Sequence, residues 1–187
     1  MAKIKVAVTG GIGSGKSYVC RLFEKRGVAI YDCDRAAKRI MATSEELQAA
    51  LTEIIGKNVY FNGVLQKAVL ASYLLESEEH AHKINSIVHP AVADDFIHSG
   101  YTWMECAILY SSGFDKLVDR VVCVTAPLET RVNRIIKRDG ISRAKALEWI
   151  ARQMPQEEVM SRSDFIIEND GIQNLEIQVD RVCASLV

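Results

Sequence analysis

The stretch VAVTGGIGSGKSYV, residues 6–19, sets an apolar run directly ahead of four glycines within six positions. From Gly10 it reads G-G-I-G-S-G-K-S and satisfies G-x-x-x-x-G-K-[ST] at every fixed position. Val6, Ala7 and Val8 form a short strand, and Tyr18–Arg26 continues as a helix that Gly27 stops. In that setting backbone N–H groups converge on phosphate oxygens, and the helix N-terminus adds partial positive charge. Gly11, Ile12, Gly13, Ser14, Gly15, Lys16 and Ser17 are therefore the expected cradle of a nucleoside triphosphate. Lys16 reaches for the β- and γ-phosphates, and the Ser17 hydroxyl is placed to ligate Mg²⁺.

Bulk properties narrow the class. At 187 residues the chain suffices for one domain, residues 1–187, carrying an inserted segment. Its 49% hydrophobic and 25% charged residues are ordinary for a soluble globular protein. A net charge of −1 provides no global positive field for a nucleic acid or a membrane surface, so neither is an expected partner. Charge is nevertheless unevenly placed: residues 129–154 hold seven Lys/Arg against three Asp/Glu, whereas 157–187 hold two against seven. A local basic patch facing a small polyanion fits that pattern. The five cysteines never fall in C-x-x-C spacing, which suggests free thiols in a reducing compartment. With no leader-like segment and no apolar run long enough to span a membrane, the expected location is the cytoplasm.

Apolar β-like runs recur at Ile4–Val8, Val28–Tyr31, Thr102–Cys106, Val121–Val124 and Phe165–Ile167, with helical patterns between them. This is the rhythm of a five-stranded parallel sheet covered by helices. The long spacer, residues 35–100, reads almost wholly as helices: Arg35–Met41, Ser44–Ile55, Gln66–Leu75, Ser77–Val88 and Pro90–His98. A helical insertion there is expected to bind the second substrate, because ligands gather beyond the carboxyl ends of parallel strands.

The second strand ends in YDCD, residues 31–34. In extended chain Asp32 and Asp34 project to one side while Cys33 points away. One carboxylate can help hold hydrated Mg²⁺ and the other can accept a proton from a substrate hydroxyl. Asp34 as the cap of a helix starting at Arg35 is the competing reading. Downstream, RVNRIIKRDG at 131–140 places Arg131, Arg134 and Arg138 on one helix face. Residues 131–153 then suit a mobile lid that brings arginines to transferring phosphates, with a solvated basic helix as the alternative. Three of the four histidines, His80, His82 and His89, fall close together but match no zinc spacing.

Taken in order, these features resemble the dephospho-CoA kinase family along nearly the whole chain. TGGIGSGKS at 9–17, YDCD at 31–34, KINSIVHP at 83–90, SGFDKLVDRVVCV at 112–124, RIIKRDGISRAKA at 134–146 and DFIIENDG at 164–171 carry the resemblance. It implies a P-loop kinase-type three-layer α/β fold with a lid. The implied activity is ATP- and Mg²⁺-dependent phosphorylation of the ribose 3′-hydroxyl of dephospho-CoA, the last step of coenzyme A biosynthesis. Position by position, Asp34 becomes the general base, Lys16 and Arg138 its catalytic partners, and Arg134 a further ATP ligand. Asn169 and Gly171 border the adenine, Asp32, Arg39 and His89 face the acceptor, and Ser17 with Asp32 serves the metal. A monomer or weak homo-oligomer is expected. At the segment ECAILYS, residues 105–111, Glu105, Ala107 and Ser111 depart from the family's aspartate, proline and glutamate, and Lys67 stands in place of an arginine. Rival readings are a nucleoside or nucleoside-monophosphate kinase, which shares core and lid, and a non-catalytic nucleotide-dependent regulator.

Overall fold

Four consecutive buried residues, Val6 to Thr9, form β1 (Val6–Thr9), the middle strand of the molecule's main sheet. The computed structural model describes residues 4–186. Residues 1–3 and 187, which the single-domain reading includes, lie outside the described residues. Strands β2 (Ile30–Asp32), β5 (Trp103–Glu105), β6 (Arg120–Thr125) and β7 (Phe165–Glu168) complete a five-stranded sheet in the order β2-β5-β1-β6-β7. Pairings of β1 with β5 and β6, and of β6 with β7, are parallel, with Ala7 opposite Met104 on one side and Val121 on the other. Strands β3 (Tyr60–Phe61) and β4 (Val64–Leu65) form a separate antiparallel pair.

Chain order around β1 explains where a ligand sits. From β1 the chain passes through α1 (Lys16–Glu24) to an edge strand, whereas β6 adds on the opposite side of β1. The strand order therefore reverses at β1, and the crevice beyond its carboxyl end is the natural binding position of an open parallel sheet. The glycine loop occupies it. Behind the loop, Val6 and Val8 of β1 join Val122 and Val124 of β6, Val19, Leu22 and Phe23 of α1, and Val179 and Val182 of α9 (Leu175–Ser185) in one buried cluster. The alternation along β1 and β6 sends these valines to one face, where α1 and α9 cover them.

The chain divides into two compact units, 1–31 with 101–187, and 32–100. The first holds the main sheet with α1, α6 (Leu128–Asp139), α7 (Arg143–Ala151), α8 (Gln156–Ser161) and α9. The second contains α2 (Cys33–Thr43), α3 (Glu45–Ile55), α4 (Lys67–Glu76), α5 (Glu78–His98) and the β3–β4 pair. Within it, α5 packs against α2, α3 and α4. Ser44 and Ser77 cap α3 and α5, accepting the N–H groups of Leu47 and His80.

Three sequence readings are corrected in this second unit. The spacer is not purely helical: Tyr60-Phe61-Asn62-Gly63-Val64-Leu65 folds back as a hairpin. Its turn needs positive φ at both central residues, and Asn62 at 49° and Gly63 at 75° supply it. The two helices expected at 77–88 and 90–98 are one helix running through Pro90. Finally, α2 begins at Cys33 rather than Arg35, because Asp32 rather than Asp34 caps it, accepting the Arg35 N–H at 2.9 Å.

Candidate active site

Residues 10–17 leave β1 and re-enter regular structure at Lys16, the first residue of α1. Gly15 precedes that helix at φ 92°, a left-handed backbone that side chains resist. A Cβ there would also press on Asn169 Nδ2, which is tied to the Ser14 carbonyl, so glycine is favoured on both counts. Turn bonds from Ser14 N–H to the Gly11 carbonyl and from Tyr18 and Val19 N–H to the Gly15 carbonyl fix the loop's curvature.

The loop is held from outside by side chains of the same unit. Arg134 donates to the carbonyls of Gly13 and Ser14 at 3.3 and 3.2 Å, and to Asn169 O and Oδ1 at 3.0 and 3.1 Å. Asn169 in turn donates through Nδ2 to the Ser14 carbonyl at 2.8 Å and is buried. Arg134 and Asn169 thus form one hydrogen-bonded knot on the back of the loop. Arg131, also buried, donates from Nε to the Ile12 carbonyl at 2.9 Å and from Nη1 to Gln156 Oε1 at 3.2 Å. Its burial lowers the guanidinium's pKa from the ordinary arginine value. Gln153 accepts the Ile12 N–H at 2.7 Å. The Ser14 hydroxyl is buried and has no hydrogen-bond partner among the described residues. An orphaned donor inside a loop so thoroughly fastened elsewhere suits a segment shaped for a ligand.

Two groups bear on a cation. The Ser17 hydroxyl donates to Glu105 Oε1 at 3.0 Å across the ends of α1 and β5, which leaves the hydroxyl's lone pairs available to a metal. Among the described residues no three His, Cys, Asp or Glu side chains gather as a metal site. A hydroxyl beside one carboxylate nevertheless suits Mg²⁺, which takes one or two protein ligands and completes its shell with water and phosphate oxygens. The Glu105 carboxylate and burial together raise the Cys20 thiol's pKa, burial being the larger cause. Cys123 is pushed up to about 11, again chiefly by burial. Neither thiol is a nucleophile at neutral pH.

Arg138, at the exposed C-terminal end of α6, grips its neighbour Asp139 with three hydrogen bonds of 2.7 to 3.1 Å. Gly140 then closes α6, and Arg143 of α7 meets Glu129 of α6 in a two-pronged pair. Gly171 lies in an exposed bend where Asp170 Oδ1 accepts the N–H groups of Ile172 and Gln173. In the second unit, Asp32 and Asp34 are both exposed with Cys33 buried between them. Arg39 pairs with Asp95 at 2.6 Å, and burial lowers the pKa of half-buried His89. A cavity of about 680 Å³ opens within that unit, lined by Ile40, Leu47, Ile87, Pro90 and Asp94 among others.

Sequence reasoning missed Gln153 and the contact of Glu105 with the Ser17 hydroxyl. The first has no motif around it. The second was visible only as a departure from a family pattern, although a carboxylate ending the strand beside β1 is itself a signal.

The sequence profile of the dephospho-CoA kinase family matches residues 4–174. A dephospho-CoA kinase from Bacteroides fragilis is 42% identical over 190 residues, covering 98% of this chain and 93% of the relative. Among solved structures, one from Thermus thermophilus superposes with a TM-score of 0.80 at 29% identity, covering 100% of this chain and 97% of the other. A dephospho-CoA kinase from Campylobacter jejuni shares the fold at TM-score 0.71 and 20% identity, covering 99% and 98%.

Proposed function

The chain belongs to the dephospho-CoA kinase family, and on that premise we propose how its residues divide the work of ATP-dependent phosphorylation of dephospho-CoA. The enzyme is a phosphotransferase acting in the last step of coenzyme A biosynthesis. The acceptor group is the ribose 3′-hydroxyl. The observation that carries the assignment is the fastened glycine loop at the carboxyl end of β1, with the Ser17 hydroxyl on Glu105.

ATP lies in the loop formed by residues 11–17, its phosphates on backbone N–H groups and Lys16. Arg134 and Asn169 serve it by holding the loop's carbonyls away from those phosphates, and Gly171 leaves room beside the base. Ser17 and Glu105, with Asp32 as a further carboxylate, would hold Mg²⁺, which would supply charge neutralisation at the phosphates. Asp34 removes the acceptor hydroxyl's proton as its oxygen attacks the γ-phosphorus in line, and the β–γ bridging oxygen leaves with ADP. Support for that role is chemical: Asp34 is exposed, near the end of β2, and its carboxylate makes no hydrogen bond or ion pair among the described residues. Arg138 meets charge developing during transfer, exchanging Asp139 for phosphate oxygens. The acceptor is taken by unit 32–100, to which Arg39 and His89 belong, and residues 131–153 act as the lid. Among the described residues no helix is long and apolar enough to cross a membrane. We place the enzyme in the cytoplasm as a monomer or weak homo-oligomer that needs no nucleic acid.

Mass spectrometry of the product formed from ATP, Mg²⁺ and dephospho-CoA tests the reading. One added phosphate on the ribose 3′-oxygen is the expected result. Phosphorylation of CMP, AMP or dTMP in preference to dephospho-CoA would overturn it.

A further inference from the structure

Ile12, in the middle of the glycine loop, is held from three directions by one stretch of chain. Its N–H donates to Gln153 Oε1 at 2.7 Å, and its carbonyl accepts from Arg131 Nε at 2.9 Å. Its side chain packs on the small cluster of Val132, Ile135 and Ala146 formed by α6 and α7. Arg131 lies in the first turn of α6 and Gln153 two residues beyond α7, so both ends of that segment fasten on one residue, through its two flanking peptide groups.

The two fasteners differ. Arg131 is buried and tied to Gln156 as well, so it is built into the frame. Gln153 is only half-buried and borders a cavity of about 130 Å³ that Gly10, Gly11 and Arg152 also line. A loop with four glycines in six positions has a large conformational entropy to lose when phosphate orders it. Any bond that fixes it beforehand lowers the cost of binding.

We propose that Gln153 is a positioning residue for the nucleotide. By taking the Ile12 N–H, its amide oxygen holds the loop in the shape whose following N–H groups face the phosphates, and it links that shape to the docked position of segment 131–153. The proposal rests on the kinase reading above and adds to it a residue that touches neither substrate.

The test replaces Gln153 by Met, which keeps length and bulk and removes the acceptor, and by Glu, which restores an acceptor oxygen at the same reach. ATP affinity is measured by calorimetry without acceptor, together with kcat, the KM for dephospho-CoA and the melting temperature. Gln153→Met is expected to weaken ATP binding about tenfold, the worth of one well-made hydrogen bond. The KM for dephospho-CoA and the melting temperature should stay near wild type, and Gln153→Glu should recover part of the loss. Unchanged ATP affinity in Gln153→Met overturns the proposal. So does a lowered melting temperature with both substrates weakened alike, which marks a merely structural bond. If Gln153→Met fails to fold, Gln153→Asn decides, since its amide falls one methylene short: wild-type ATP affinity there overturns the proposal and weakened affinity supports it. A wild-type protein that binds no ATP would refute the kinase reading instead.

Discussion

Asp32 accepts the Arg35 N–H and so serves as the cap of α2, while Asp34 sits within the first turn with its carboxylate unengaged among the described residues. The two substitutions should therefore separate cleanly. Asp34→Asn is expected to lower kcat by roughly 10²–10⁴-fold with an unchanged melting temperature. Asp32→Ala should cost about 1 kcal/mol of stability from the lost cap, read from urea unfolding. Retained activity in Asp34→Asn, with loss in Asp32→Asn, would transfer the base two residues back. From sequence the pair was legible and its division of labour was not, since the geometry argued there was extended chain and residues 33 and 34 are helical. His89 carries a different signature. Burial lowers its pKa, so above about pH 6.5 it is neutral folded or unfolded and contributes no pH dependence. As pH falls below that value the unfolded chain takes the proton first, and stability declines until the folded pKa is passed. Urea midpoints should fall over that window in the wild type and fall less in His89→Gln.

At the level of elements, α5 shows packing prevailing over local rule. Pro90 removes an N–H and crowds the preceding turn, which is why sequence alone divides the helix there. In the fold, α5 has α2, α3 and α4 against it and continues through the proline, with Ile84, Val88, Val92 and Phe96 buried on both sides of it. Pro90→Ala should restore the missing bond and raise stability by about 1–3 kcal/mol, visible as a higher melting temperature. The β3–β4 hairpin was legible in principle from Asn62-Gly63, yet its two-residue strands are too short for an alternating pattern to register. Segment 131–153 is the element on which rate should depend most. Arg138→Ala is expected to reduce kcat about 10²-fold or more while ATP affinity changes little. Lysine in its place should recover only part, because it lacks the planar fork that Arg138 now offers Asp139. Equal losses in kcat and ATP affinity would mark Arg138 as a ground-state ligand.

Across the whole molecule, the sheet and the phosphate loop were readable because their signals are local: apolar runs, glycine spacing and the Lys-Ser pair within residues 6–19. What fastens the loop was not readable. Arg131, Arg134, Gln153 and Asn169 are brought to it from well over one hundred residues away, and only the parallel sheet order makes them neighbours of Ile12, Gly13 and Ser14. The basic helix face announced cations for phosphate, yet two of its three arginines serve backbone carbonyls. Sequence periodicity states which residues share a face and is silent on what that face meets.

Cys20 on α1 and Cys123 on β6 are buried, and each is close enough to Lys16 for its charge to bear on the thiol, while Cys183 on α9 is half-buried. Protonated and enclosed, the first two are silent toward alkylating reagents until the region around the loop opens. They are a built-in stopwatch for that opening. Timed iodoacetamide labelling read by peptide mass spectrometry should modify Cys183 first, and saturating ATP should delay Cys20 and Cys123 far more than Cys183. Equal delay at all three would mean that the molecule opens as one body, so that nucleotide residence and global unfolding share a single clock.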